Sequence, residues 1–134
     1  MPEVELPAAA VPCRRIPDGA LVDADPTPGM SRRVAEHTEG MWTGTVDTAP
    51  GAVTGWHHHG EHETTLYIVS GTFRLESGPS GGDVIEAGPG DFVRVPAGAV
   101  HRESNPGEEP SRAVIVRCGS GAPTVNVDGP AAPG

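Results

Sequence analysis

Two stretches decide how this chain folds: WHHHGEHE at residues 56–63 and GDFVRVPAGAVH at residues 90–101. Four of the six histidines fall in the first stretch, and another, His101, ends the second. Imidazole and carboxylate groups gathered in one place are how proteins bind divalent transition metals. Strand-like segments lie between the two stretches, so the pattern predicts a metal site to which both contribute.

The rest of the chain has the pattern of short strands joined by turns. Nineteen Gly and fifteen Pro are spread along it; such residues form turns at little steric cost, and no window shows a helical period. The fold class is therefore predicted to be all-β, a sandwich or a closed barrel. Strands are predicted at residues 32–38, 41–47, 52–59, 64–70, 72–76, 83–86, 91–95, 100–104 and 112–118, with shorter ones at 19–22 and 124–127.

The 134 residues suit one domain. Residues 1–30, rich in Pro, are predicted to be an extended N-terminal arm. Regular alternation of apolar and polar residues begins at residue 31, so the barrel is predicted over residues 31–118. Residues 119–134 are predicted to form a C-terminal strand and a flexible tail.

Charge and composition exclude several classes of partner. The formal charge is −9, and all nine basic residues are Arg. A basic face for nucleic acid or an anionic membrane is absent, and apolar runs are too short to span a bilayer. With no signal peptide pattern, we expect a cytoplasmic protein. Cys13 and Cys118 are expected to be reduced, small, buried side chains.

The first stretch has the alternation of a strand that ends in a turn. Successive side chains of a strand point to opposite faces, so His57 and His59 share one face and His58 takes the other. Gly60 permits a sharp turn, after which a residue of the returning strand can face the two histidines. His62, Glu63 and Thr64 are the candidates.

The second stretch predicts a strand, a tight loop and another strand. Gly90 and Asp91 open the first strand, and Pro96 with Gly98 forms the loop, because Pro fixes φ and Gly supplies freedom. His101 then begins the next strand at a defined angle.

Together the two stretches resemble the two motifs of the cupin superfamily. The first motif, G-(x5)-H-x-H-(x3–4)-E-(x6)-G, is matched by Gly51, His57, His59, Glu63 and Gly71. The second, G-(x5)-P-x-G-x-x-H-(x3)-N, is matched by Gly90, Pro96, Gly98, His101 and Asn105. The resemblance implies a single-domain cupin β-barrel, also called a jelly roll or double-stranded β-helix.

The first motif departs from the family pattern at one point. Seven residues separate Glu63 from Gly71, where the family has six. Anchored on His59, the acid ligand is Glu63; anchored on Gly71, the same position is Thr64. His62 is a further candidate for the third ligand of this motif, and the sequence leaves the choice among Glu63, His62 and neither open.

The resemblance implies one divalent transition metal per chain. His57, His59 and His101 would bind it from inside the barrel, together with Glu63 or His62, and positions would remain for water, oxygen or substrate. Fe(II) is favoured, while Mn, Ni, Co, Zn and Cu also suit these donors. Glu103 should share the inward face with His101, and its hypothesised role is catalytic: to orient His101 or a substrate, or to act as a general base.

The resemblance implies a function class more weakly than a fold. We expect a metalloenzyme, dioxygenase-like, that acts on a small-molecule substrate. The alternatives are a non-redox cupin, such as an isomerase or polyketide cyclase, and a non-catalytic module that binds a metal or small ligand. A homodimer is also expected, because cupins often pair through sheet faces or exchange an N-terminal strand.

Overall fold

The computed structural model describes residues 8–24, 28–121 and 124–133. Within them a short 3-10 helix, Asp18–Ala20, precedes eleven strands, and the predicted all-β class is confirmed. The strands are β1 (Val22–Asp23), β2 (Met30–His37), β3 (Met41–Thr48), β4 (His57–His58), β5 (Glu63–Ser70), β6 (Phe73–Ser77), β7 (Asp83–Ala87), β8 (Phe92–Val95), β9 (His101–Ser104), β10 (Ser111–Cys118) and β11 (Val125–Asn126).

The strands form two antiparallel sheets. One has the order β1-β2-β3-β10-β5-β8 and the other the order β11-β4-β9-β6-β7. The chain passes from one sheet to the other between β3 and β4, then again before β5, β6, β8, β9, β10 and β11. This repeated crossing is the connectivity of a double-stranded β-helix, and it places β4 beside β9 although they are distant in sequence.

Alternating burial explains why the sheets pack. In β5 and β10 every second side chain is buried, among them Leu66, Ile68, Ala113 and Ile115. The five-stranded sheet contributes Phe73, Leu75 and Ala87 to the same cluster. Burying one large apolar side chain contributes roughly 1.5–3 kcal/mol, so this core holds the two sheets face to face.

Gly71 marks where β5 ends and fixes the register of the first motif. Its φ is +77°, and a Cβ placed there would lie 2.7 Å from the Pro110 carbonyl oxygen and 2.7 Å from the Ser111 Cα. Only glycine fits this position without a shift of neighbouring backbone. The register of β5 is therefore fixed at its C-terminal end by Gly71.

Three short segments differ from the prediction. The segment 52–59 forms a strand only at His57–His58, although Val53 still bridges Ser104 and the Thr54 N–H donates to the Glu103 carbonyl oxygen at 2.9 Å. Regular backbone pairing stops at Gly55, because its carbonyl oxygen bonds to His57 Nδ1 instead of to the backbone of a neighbouring strand. The strand predicted at 19–22 is wrong for most of its length, because Asp18–Ala20 form the 3-10 helix and β1 begins only at Val22; the strand predicted at 124–127 shortens to β11.

The remaining sequence-based predictions concern the termini, cysteines and membrane. The predicted arm 1–30 and tail 119–134 lie in part outside the described residues, and their boundaries stay predictions. Cys13 and Cys118 are free and exposed, so the expected burial is wrong. In the described part of the chain, no helix is long and apolar enough to cross a membrane.

Candidate metal centre

Strands β4 and β9 bring three histidines together. His57 is the Cα partner of His101, and His59, two residues further along, lies on the same side. The ring centroids of His57, His59 and His101 lie 4.4–5.1 Å apart. His58 turns away and accepts a hydrogen bond at Nδ1 from the Gly60 N–H at 3.0 Å.

Glu103 completes the group. His57, His59, His101 and Glu103 are all buried, and each offers one donor atom within 4.8 Å of the others. Glu103 Oε1 lies 3.1 Å from His101 Nε2 and 3.7 Å from His57 Nε2. The residue predicted to be catalytic on the face of His101 thus lies in a cluster of three imidazoles and one carboxylate.

Backbone carbonyls orient two of the rings. His57 Nδ1 lies 3.0 Å from the Gly55 carbonyl oxygen, and His101 Nδ1 lies 2.9 Å from the Ala99 carbonyl oxygen. A carbonyl oxygen only accepts, so Nδ1 carries the proton in both rings and Nε2 faces the cluster. This arrangement is usual for metal-binding histidines, whose second nitrogen donates to a carbonyl or carboxylate.

Glu103 and His57 shift each other's pKa values. Burial raises the pKa of Glu103, but hydrogen bonds and charge from His101 and His57 outweigh it and hold the pKa well below its usual value of 4.5. Burial likewise lowers the pKa of His57, whereas the hydrogen bond and charge of Glu103 raise it, and the net result is a pKa above 6.5. Glu103 is therefore held as a carboxylate, and His57 takes up a proton more readily than a free imidazole.

The donor set fits a divalent transition metal. Ligand atoms about 2.1 Å from a common ion lie at most about 4.2 Å apart, so small rotations bring donors within 4.8 Å into range. His101 faces oxygen atoms at both ring nitrogens, the Ala99 carbonyl oxygen at Nδ1 and the Glu103 carboxylate at Nε2. A cation at Nε2 would be bound by the lone pair of that nitrogen and would meet the same carboxylate.

Neither Glu63 nor His62 joins the cluster. Glu63 is exposed and pairs with Arg94 at 2.6 Å. His62 is buried, but its Nδ1 bonds the His59 carbonyl oxygen at 3.0 Å, and it is not among the four grouped donors. The reason is the register of β5, which turns Thr64 inward and Glu63 outward. The alignment of the first motif on Gly71, which puts Thr64 at the position of the acid, therefore describes the β4–β5 hairpin. The carboxylate of the cluster is that of Glu103 on β9.

An arginine takes the space beside Thr64. The cluster borders a cavity of about 10 Å³, room for about one water molecule. Arg117, buried on β10, donates from Nε to Thr64 Oγ1 at 3.2 Å, and its Cζ lies 5.6 Å from the Trp42 ring centroid. The lining residues are Met30, Arg32, Val46, His59, Thr64, Leu66, Phe73, Val95, Glu103, Ile115 and Arg117.

The inward arginines were not predicted from the sequence. Arg117 has the same strand parity as the core residues Ala113 and Ile115, and that parity is the signal that identifies it. Burial lowers the pKa of Arg117, the charge of Glu103 opposes this, and the charge of Arg32 adds to it. The guanidinium stays protonated in spite of the shift, so the cavity carries fixed positive charge.

Comparison with known proteins supports the fold and the family. A family model described as Cupin domain matches residues 44–117, which include all four donors. A conserved protein with a double-stranded beta-helix domain from Klebsiella pneumoniae is 26% identical over 78% of this chain and 90% of that chain, with a TM-score of 0.66. No curated protein matches the chain.

Two further solved structures show the same fold with different stated activities. The polyketide cyclase RemF from Streptomyces resistomycificus is 22% identical over 86% of this chain and 85% of its own, with a TM-score of 0.71. The oxalate decarboxylase of Bacillus subtilis, described with Mn(II) centres, is 22% identical over 76% of this chain and 29% of its own, with a TM-score of 0.64. At this identity the likeness concerns the fold alone.

Proposed function

This chain belongs to the Cupin domain family, and on that basis we propose that it is a metalloenzyme that binds one divalent transition ion and acts on a small organic molecule. The observation that carries the proposal is the buried group of His57, His59, His101 and Glu103. Such a group is costly to bury without a cation or proton to bind. A protein with a purely structural role would not require this buried group.

The chain's own residues would hold and shield the reacting centre. A divalent transition ion bound here supplies Lewis acidity or a redox couple. His57 and His101 would bind through Nε2, with their Nδ1–carbonyl bonds keeping the rings aligned. Glu103 adds one negative charge, and the cavity, with room for about one water molecule, keeps bulk water from the centre.

Within this class we favour dioxygenase-like chemistry at Fe(II). Mixed imidazole and carboxylate donors suit Fe(II) and leave about two of six positions of an octahedral ion for substrate and oxygen. Zn(II) or Ni(II) in the same donors would instead favour the isomerase or polyketide-cyclase type of reaction. A metal carrier would need a closed coordination sphere.

Elemental analysis tests the proposal. The protein is purified without a His-affinity column or chelator, beside His57→Ala, His101→Ala and the control His58→Ala, whose ring points away from the cluster. We expect about one metal per chain in the wild type and in His58→Ala, and loss in the other two variants. A wild type that holds no metal and refuses Fe, Mn, Ni, Co, Cu and Zn would overturn the proposal.

The identity of the bound metal then ranks the reaction classes. Iron with oxygen consumption upon substrate addition would support the dioxygenase reading. A Co(II)-substituted protein whose spectrum shifts with a small ligand would show an open coordination position, whereas an unchanged spectrum would favour a metal carrier.

A further inference from the structure

Arg117 is a buried cation that lines the cavity beside the metal centre. Its side chain is 8% exposed and makes one hydrogen bond, from Nε to Thr64 Oγ1. Among the ion pairs of the described residues, none joins Arg117 to a carboxylate. A buried charge is expensive unless it has a partner of opposite sign, so this guanidinium lacks the partner that its position calls for.

The nearest carboxylate of the cavity is already engaged. Glu103 lines the same cavity as Arg117, but its Oε1 is bonded to His101 and close to His57. A divalent ion bound by Glu103 and the histidines would add positive charge beside Arg117. The electrostatic balance of the loaded site therefore favours an anion rather than a neutral ligand.

The position of Thr64 makes room for such an anion. The first motif, anchored on Gly71, would place a carboxylate ligand at residue 64, and this chain has a hydroxyl there that accepts from Arg117. Beside Thr64 the lining of the cavity thus includes the guanidinium fork of Arg117 in place of a protein acid. Such a fork matches the geometry of a carboxylate and can bind both of its oxygens.

We propose that Arg117 binds the carboxylate of a small anionic substrate next to the metal centre. The inference rests on the proposed function, and it names the substrate class as carboxylic acids of a few non-hydrogen atoms. The cavity as it stands has room for about one water molecule, so only the smallest acids come into question and a lining side chain must move to admit even these. Arg32 is half-buried and lines both this cavity and an outer cleft beside Asp23, Ala24 and Ser31, so displacement of its side chain would connect the two spaces.

Anion binding by calorimetry tests the proposal in metal-free and Zn(II)-loaded protein. Formate and acetate are titrated at constant ionic strength, with neutral acetamide for comparison. Arg117→Gln removes the charge, and Arg112→Gln is the matched control because Arg112 lies on the same strand but is exposed and paired with Asp47. We expect the wild type and Arg112→Gln to bind acetate and not acetamide, and Arg117→Gln to bind it at least about tenfold more weakly.

A second variant guards against a folding defect. Arg117→Lys keeps the charge but loses the planar fork, and should weaken acetate binding while circular dichroism and thermal unfolding remain those of the wild type. Equal acetate affinity in the wild type, Arg117→Lys and Arg117→Gln would overturn the proposal, as would a wild type that holds its metal and binds no carboxylate. Carboxylate binding that depends on Arg117 in a protein unable to hold any metal would support the anion site and reject the metalloenzyme.

Discussion

Glu103 keeps its charge in the barrel interior because β9 places it beside two imidazoles. Its Oε1 is 3.1 Å from His101 Nε2 and 3.7 Å from His57 Nε2. A buried carboxylate without such partners would take up a proton. The same side chain therefore serves as counter-charge to an imidazolium in the metal-free protein and as a ligand candidate when an ion is present.

Replacing Glu103 by Gln should weaken the binding of a divalent transition ion by at least about tenfold. The amide has nearly the shape of the carboxylate but carries no charge, so packing is preserved while the anionic donor is lost. Competition with a chromophoric chelator measures the change. The matched control is Glu63→Gln, since Glu63 is exposed and paired with Arg94; its affinity should equal that of the wild type. Weaker ion binding in Glu63→Gln together with wild-type binding in Glu103→Gln would place the acid ligand in the β4–β5 hairpin.

The stability of the metal-free protein should fall as the pH rises past the titration of His57. The folded pKa of His57 lies above 6.5, so its contribution is complete below that value and is lost as the pH rises through the folded pKa. The folded pKa of Glu103 lies below 4.5, so its contribution is present above that value and is lost at lower pH. Urea unfolding at several pH values should show a maximum on the acid side of neutrality.

Two controls accompany the pH series. Glu103→Gln should flatten the alkaline loss, because it removes the charge that raises the pKa of His57. The metal-loaded protein should gain stability with rising pH, since imidazole must be neutral to bind an ion. Metal-free protein that grows steadily more stable through and above neutrality would contradict the assignment.

The three histidines can be predicted from sequence, and strand alternation also places Glu103 on the face of His101, but the sequence does not decide which acid completes the group. Strand alternation alone places His57 and His59 on one face. A single extra residue between Glu63 and Gly71 reverses the faces of the returning strand, and only packing decides between the two registers. The burial of Arg117 cannot be predicted for a similar reason: an arginine in an apolar strand can point outward or inward, and the sequence does not show which face of β10 is buried.

At the scale of elements, Asn105 ties the end of β9 to two other segments. Its Nδ2 donates to the carbonyl oxygens of Thr48 and Glu109 at 3.1 and 2.8 Å, and its Oδ1 accepts from the Gly107 N–H at 2.9 Å. The side chain is fully buried. These contacts shape the turn after β9 and hold β9, with His101 and Glu103, against β3.

Asn105→Ala should lower the free energy of unfolding by about 2–4 kcal/mol. The variant removes three hydrogen bonds and leaves buried carbonyl and amide groups without partners. Urea denaturation with unchanged m-value measures the loss. Asn126→Ala, at an exposed position on β11, is the matched control and should change stability by less than about 0.5 kcal/mol; equal losses in the two variants would count against the anchoring role.

Strand positions follow from sequence where alternation is regular. Strands predicted at 64–70 and 112–118 are observed as Glu63–Ser70 and Ser111–Cys118. The strand predicted at 52–59 is interrupted because side chains of this segment replace backbone groups in the pairing. The Glu103 N–H of β9 donates to Thr54 Oγ1, and the Gly55 carbonyl oxygen bonds to His57 Nδ1. This break in the strand, which orients the histidines, depends on contacts with β9, and no pattern in the local sequence predicts it.

At the scale of the whole molecule, the outer face of the six-stranded sheet carries an exposed apolar row. Tyr67 on β5 is the cross-strand partner of Val114 on β10 and of Phe92 on the edge strand β8. The rings of Tyr67 and Phe92 lie 5.0 Å apart, and Phe92 is 72% exposed. In a chain of formal charge −9, such a row is a surface that gains free energy when covered.

We expect the chain to form a homodimer through this face, and Phe92→Asp to convert it to a monomer. In a two-fold contact each copy presents the same surface, so the substitution introduces two carboxylates into one apolar interface. Light scattering at several concentrations measures the mass. Val84→Asp is the matched control, because Val84 is also exposed but lies on β7 of the other sheet, and it should stay dimeric. A monomeric wild type would contradict the dimer itself, whereas a dimer that survives Phe92→Asp would move the contact elsewhere, with the predicted arm of residues 1–30 the next segment to truncate.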